Sequence, residues 1–235
     1  LTGTNMTAAT AVKFGTISAT TVVINSATQI TATAPAGAVG WVNVTVTTAG
    51  GTSSAGTGTQ FTYVAAPSVT LISPVAGPVA GGTSVTLTGT NFTAATAVKF
   101  GTTSATNVVV VSATQITATA PAGTAGVVNV TVTTAGGTSA VATGNRFTYA
   151  AAPTVTSISP TFGPKAGGTR VTLTGTNFTG ATGVKFGAVA GTSVTVVSAT
   201  QITVTAPAGT GTIDITVTTA GGTSPAVAGD RFTYK

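Results

Sequence analysis

The side chains that could do chemistry are few. Asp214 and Asp230 are the only two acids among 235 residues, set against eight Lys or Arg, no His and no Cys. General acid–base catalysis uses His, Asp, Glu or Cys, with Lys or Tyr as rarer substitutes. Zinc needs Cys, His or carboxylate ligands, and calcium and magnesium are usually held by carboxylates. From Leu1 to Ile213 no side chain titrates between about pH 3 and 9. Two acids in one stretch build no catalytic triad and no metal cage. The expectation is a protein that is not an enzyme and carries no cofactor and no metal. Both acids read as drift in a repeated sequence: Asp214 stands where Asn43 and Asn129 stand, and Asp230 precedes Arg231.

Lys13, Lys99 and Lys185 recur at one spacing, in the strings AVKF, AVKF and GVKF. They form a candidate basic row. One cation per repeat falls short of the six to ten phosphate contacts of a typical nucleic-acid site, and the loops TAAT, TTSAT and PAGTAG carry no Lys or Arg. Solubilising lysines on an exposed strand are the simpler reading, and no nucleic-acid partner is expected. Trp41 is the one Trp. It reads first as an interdomain or loop-packing residue, with a glycan contact as the alternative. The repeated AGGTS lacks the Lys of a phosphate-binding loop. Cross-linking between Lys and Asn needs a neighbouring acid, and the first two repeats have none.

Composition sets the frame for these residues. Charged residues make up 4% of the chain, against roughly 25% in ordinary soluble domains. The net charge of +6 therefore reflects missing acids more than a basic patch. Hydrophobic residues reach 42% and mean hydropathy is +0.52, enough for packed cores. Thr, Gly, Ser or Pro interrupts every apolar stretch, so no helical membrane span is expected.

The chain repeats itself. LTGTN begins at Leu1, Leu87 and Leu173; SATQIT begins at Ser26, Ser112 and Ser198. TVTTAGGTS begins at Thr45, Thr131 and Thr216, after a one-residue deletion near Gly209. A period of this length suits a small domain better than a solenoid turn. Three units follow: 1–64, 65–149 and 150–235. The first lacks the stretch that reads PSVTLISPVAGPVAGGTSV in the second. It is expected to be truncated, with that edge covered by preceding residues or by a strand from a neighbouring chain.

Each unit reads as all-β. Thr and Val favour strands. In VVNVTVTT, Val128, Val130 and Val132 alternate with Asn129, Thr131 and Thr133; in SVTLTG, Val85 and Leu87 point inward. Lys99 points outward between Val98 and Phe100. Gly136–Gly137 and its equivalents suggest a primed hairpin turn. Gly89 and Gly175 are expected to end a strand, and Asn91 and Asn177 to close Asx turns. Phe92, Phe100, Phe147 and Tyr149 are the expected core, at roughly 1.5–3 kcal/mol of burial each. Short strands at this density make a two-sheet sandwich.

The strings GPVAGGTSVTLTGTNF (77–92) and GPKAGGTRVTLTGTNF (163–178), then VKFG, AP and a terminal FTY, resemble IPT/TIG domains. The resemblance implies tandem immunoglobulin-like β-sandwiches, like beads on a string. Members of that family include DNA-binding modules, receptor ectodomains, spacers in polysaccharide enzymes and bacterial surface proteins. Combined with the missing chemistry, it implies a structural segment of a long extracellular or cell-surface protein, acting as stalk, fibre or filament, with room for an adhesive role. Its expected partners are copies of itself or adjoining repeats, or a glycan or other cell-surface ligand. The alternatives are a carbohydrate-binding accessory module of a surface hydrolase, with Trp41 as the contact, and a virion fibre or decoration module.

Overall fold

A computed structural model describes residues 1–235. The chain forms two compact units: Leu1–Ala66 with Ala135–Gly137, and Pro67–Thr134 with Thr138–Lys235.

The second unit contains two sandwiches, each with its own core. In the earlier one, a four-stranded sheet runs in the order Thr106–Ser112, Gln115–Thr119, Ser84–Thr90, Ser68–Ser73. The facing sheet runs Thr103–Ser104, Ala97–Phe100, Gly126–Thr134, Arg146–Ala150, Ala76–Pro78. All pairings are antiparallel except that of Arg146–Ala150 with Ala76–Pro78. The later sandwich repeats this order from Thr154–Ser159 to Arg231–Tyr234.

The alternation read from sequence decides which side chains enter. Val85, Leu87, Val98, Phe100, Val130 and Val132 are buried, as are Phe92, Phe147 and Tyr149. Lys99 faces out. The Phe147 ring meets Phe100 and Tyr149 edge-on, at centroid distances of 5.1 Å in each case. Such edge-to-face pairs add about 0.5–1.5 kcal/mol beyond area burial. The Tyr149 hydroxyl donates to the Pro121 carbonyl at 2.8 Å, and Tyr234 does the same to Pro207 at 2.9 Å.

Three local expectations are corrected. Gly89 does not end its strand; it lies inside Ser84–Thr90, at a shift of register against Ser68–Ser73. A Cβ there would collide with the Ser68 carbonyl oxygen, so the glycine permits close approach of two backbones. The hairpins at Gly136–Gly137 and Gly221–Gly222 are not primed turns. Primed turns need positive φ at a central residue, yet only the following residue has it, at 114° for Gly137 and 109° for Gly222. Asn91 and Asn177 sit in left-handed conformation at φ 58° each, which Asn tolerates better than most residues. The Asn177 amide donates to the Ala152 carbonyl at 2.9 Å rather than closing a local turn.

The first unit has a five-stranded sheet, in which Ala11–Phe14 and Gln60–Tyr63 flank Gly40–Thr48. Thr21–Ser26 and Gln29–Thr33 form a separate pair. It has no counterpart of Ser68–Ser73 or Ala76–Pro78. A single bridge, Thr2 to Gln29, stands where Ser84–Thr90 pairs in the next repeat. Its core is correspondingly small: Met6, Val12, Phe14, Ile30 and Val44. Phe61 is 37% exposed, whereas its equivalents Phe147 and Phe232 are wholly buried.

Candidate functional site

The two acids lie near each other, where Gly211–Thr219 pairs with Arg231–Tyr234. Asp214 on Gly211–Thr219 pairs in register with Arg231 on Arg231–Tyr234, and Asp214 Oδ1 lies 3.5 Å from Arg231 Nε. Both side chains are well exposed, so the pair is worth under about 1 kcal/mol. Asp230 is fully buried at the end of the turn Ala228–Asp230. Its Oδ2 accepts the Val227 amide at 3.0 Å, and its Oδ1 has no partner. Burial pushes this carboxyl above its usual range, and the Val227 amide pulls it back. Asp214 raises it further by like charge, and Arg231 lowers it.

The position is not free drift. Asn145 occupies it in the second repeat, accepting the Ala142 amide and donating to the Ala140 carbonyl, both at 3.1 Å. Thr59 occupies it in the first, taking the Gly56 amide at 3.0 Å. All three residues cap the same turn. Asp230 lacks the donor that Asn145 uses. The sequence pattern hid this because the three residue types share nothing but a side-chain oxygen at short reach. Neither acid is poised for proton transfer to a substrate: one is tied to Arg231 and the other is sealed from solvent.

Trp41 lies near the start of Gly40–Thr48, opposite Thr62, and is 63% exposed. Its ring is therefore not packed into a loop. Val127 is equally exposed at the matching position, and Thr212 stands there in the last repeat. Lys13, Lys99 and Lys185 each face outward at one register position, between Ser18 and Thr45, Ser104 and Thr131, and Ala190 and Thr216. Within each repeat the lysine has only uncharged strand neighbours.

Two apolar features escaped the sequence reading. The first unit has an open groove of about 340 Å³ lined by Leu1, Phe14, Ile30, Val44 and Phe61. Val69 and Ile72 fill the corresponding place in the next repeat. Beyond the Thr2–Gln29 bridge, no strand of this unit pairs along that edge. The second feature is a valine-rich edge strand in every repeat: Thr21–Ser26, Thr106–Ser112 and Thr192–Ser198, exposed along their whole length.

The family model for the IPT/TIG domain matches residues 1–63, 67–149 and 153–234. The chain belongs to the IPT/TIG domain family. No curated protein matches this sequence. Among solved structures, the TIG repeats are similar to the plexin A4 extracellular region, at 18% identity over 91% of this chain and 29% of that one, with a TM-score of 0.48. They are also similar to a protein crystallised with a xylogluco-oligosaccharide, at 23% identity over 98% of this chain and 55% of the other, with a TM-score of 0.36. A third is a surface glycan-binding protein of Bacteroides ovatus in complex with a mixed-linkage heptasaccharide, at 15% identity over 96% of this chain and 59% of that one, with a TM-score of 0.31. The TIG repeats thus span under two thirds of each of these proteins.

Proposed function

We propose that this chain is a non-catalytic structural segment of an extracellular or cell-surface protein, extending or spacing whatever it joins. The observation that carries this reading is the repetition itself. The same sandwich recurs with a nearly uncharged Thr- and Val-rich exterior, and no repeat holds a constellation for chemistry. Short Ala- and Pro-rich links, VAAP and AAAP, restrict freedom between repeats. In this reading the repeats run 1–64, 65–149 and 150–235, with the first truncated.

Single-molecule pulling on the whole chain tests the mechanical role. The two complete repeats should unfold as separate events, each releasing about 270–300 Å of contour for the 83 residues from 67 to 149 or their equivalent. A chain that extends smoothly, without discrete events, refutes it. A second reading, a glycan-binding accessory module, draws on the exposed ring of Trp41. Glycan-array binding that is lost in Trp41→Ala supports that reading, and a silent array for the unmodified chain removes it.

A further inference from the structure

Every repeat leaves one sheet edge open, and the two complete repeats close the other. At the closed edge, the turn Thr143–Asn145 packs on Ser68–Ser73 so tightly that a Cβ on Gly144 would collide with the Thr70 carbonyl oxygen. Gly229 stands in the same relation to Thr156. Pro67 and Pro74 bracket that strand as well. The open edge is Thr106–Ser112, which pairs on one side only, with Gln115–Thr119.

An unprotected edge strand exposes a row of backbone donors and acceptors. Natural edges are blunted by charge, by Pro, by shortness or by β-bulges that twist the edge away. The sequences TVVINS, TNVVVVS and TSVTVVS contain no charge and no Pro, and each runs six or seven residues. Bulge-like shifts of register toward each end of Thr106–Ser112 and Thr192–Ser198 leave only Val109–Val110 and Thr195–Val196 in regular register. They shorten the edge without closing it.

The side chains add a second observation. Val110, Ile24 and Val196 stand opposite the buried Ile116, Ile30 and Ile202, so they point toward the sandwich interior. Yet these residues and Val22, Val108 and Val194 remain between 37% and 39% exposed. The sandwich gapes here. In the second repeat the gap is a cleft of about 310 Å³ between Val108, Val110 and Ala95–Val98. These six residues are two inward positions that stay Val or Ile in all three repeats, whereas the outward position between them is Val23, Val109 and Thr195. A half-exposed position that stays apolar while its neighbours drift fits one that becomes covered.

We propose that the valine edge strands are a self-association surface, and that the partner is the same edge on a second copy of this chain, added antiparallel. Two identical edges related by a two-fold axis satisfy each other's backbone groups and set apolar side chains opposite apolar side chains. No charge on either strand opposes the pairing. Each short edge alone binds weakly, and each chain carries three of them. The inference does not depend on the mechanical role proposed above.

Sedimentation velocity of the whole chain, from micromolar to submillimolar concentration, tests it. The chain should associate reversibly, and the triple variant Val23→Lys, Val109→Lys, Thr195→Lys should weaken association on the order of a hundredfold. All three sites face solvent, so the variant's melting temperature should stay near that of the unmodified chain. Leu71→Lys, an exposed position on the closed-edge strand, should associate as before. Backbone hydrogen exchange gives a second measure that needs no variant. Amides of 106–112 and 192–198 should gain protection as concentration rises, while those of 68–73 should not. A chain that stays monomeric throughout, or associates without protecting these strands, overturns the proposal. So does a folded triple-lysine variant that associates like the unmodified chain.

Discussion

Asp230→Asn should stabilise the last repeat. In the unmodified chain Asp230 is fully buried and its Oδ1 has no partner. Asn145 shows what an amide does there: the same acceptor bond, plus a donor to the carbonyl five residues back. By repeat register that carbonyl belongs to Pro225. A buried polar group without a partner costs about 1–3 kcal/mol, and more if charged. The variant should gain roughly that amount at neutral pH, which is about 4–24 °C in melting temperature for a domain of this size.

The pH dependence has a fixed sign. Asp230 binds its proton more tightly folded than unfolded, because burial raises its pKa. Its contribution to stability is therefore present below the ordinary aspartate value of about 3.9 and is lost as pH rises through the folded value. The gap between variant and unmodified chain should be small near pH 3 and widen toward pH 7. Calorimetry of the whole chain at both pH values measures it, with hydrogen exchange over 211–234 assigning the change to the last repeat. The reciprocal Asn145→Asp should destabilise the second repeat by a similar amount and give it the same pH dependence. Equal stability of Asp230→Asn and the unmodified chain at pH 7, or a gap that widens on acidification, refutes the reasoning.

Other perturbations follow from the same geometry. Tyr149→Phe and Tyr234→Phe each remove a bond to a proline carbonyl and should cost about 1 kcal/mol, whereas the buried Tyr63 hydroxyl has no partner, so Tyr63→Phe should be neutral or stabilising in a urea melt. Gly89→Ala drives a Cβ into the Ser68 carbonyl and the Phe92 ring and should cost at least about 1–3 kcal/mol. Gly183→Ala meets open space, at a site where the other repeats carry Ala11 and Ala97, and should gain about 0.4–1 kcal/mol in calorimetry. Trp41→Ala should leave stability within about 0.5 kcal/mol, because the ring is exposed; a larger loss in the same melt would show that it packs.

Local signals carried most of the fold. Alternation in VVNVTVTT and SVTLTG told which residues enter the core, because strand side chains alternate strictly between faces. The repeated strings located the TIG repeats. The missing His, Cys and Glu bounded the chemistry by composition alone. The hairpin reading failed because a Gly-Gly pair does not say which glycine takes positive φ. The Gly89 reading failed because it turns on the close approach of two backbones, and Ser68 and Gly89 lie 21 residues apart in the chain. Nothing in TGT, TGN and AGD marks Thr59, Asn145 and Asp230 as one capping position until their side chains are seen on the same turn.

The sequence by itself thus determined that this is a β-rich tandem repeat almost without ionisable side chains. Composition and period are properties of the chain itself and need no knowledge of the fold. Only the tertiary structure decided which sheet edges are closed. TNVVVVS and SVTLIS are equally apolar as strings, yet a turn seals one and the other pairs on a single side. Edge exposure depends on which strand lies last in its sheet and on what packs beside it, and both are long-range facts. The fate of Asp230 rests on the same cause: a neighbour's side chain can be read from sequence, but the withdrawal of solvent cannot.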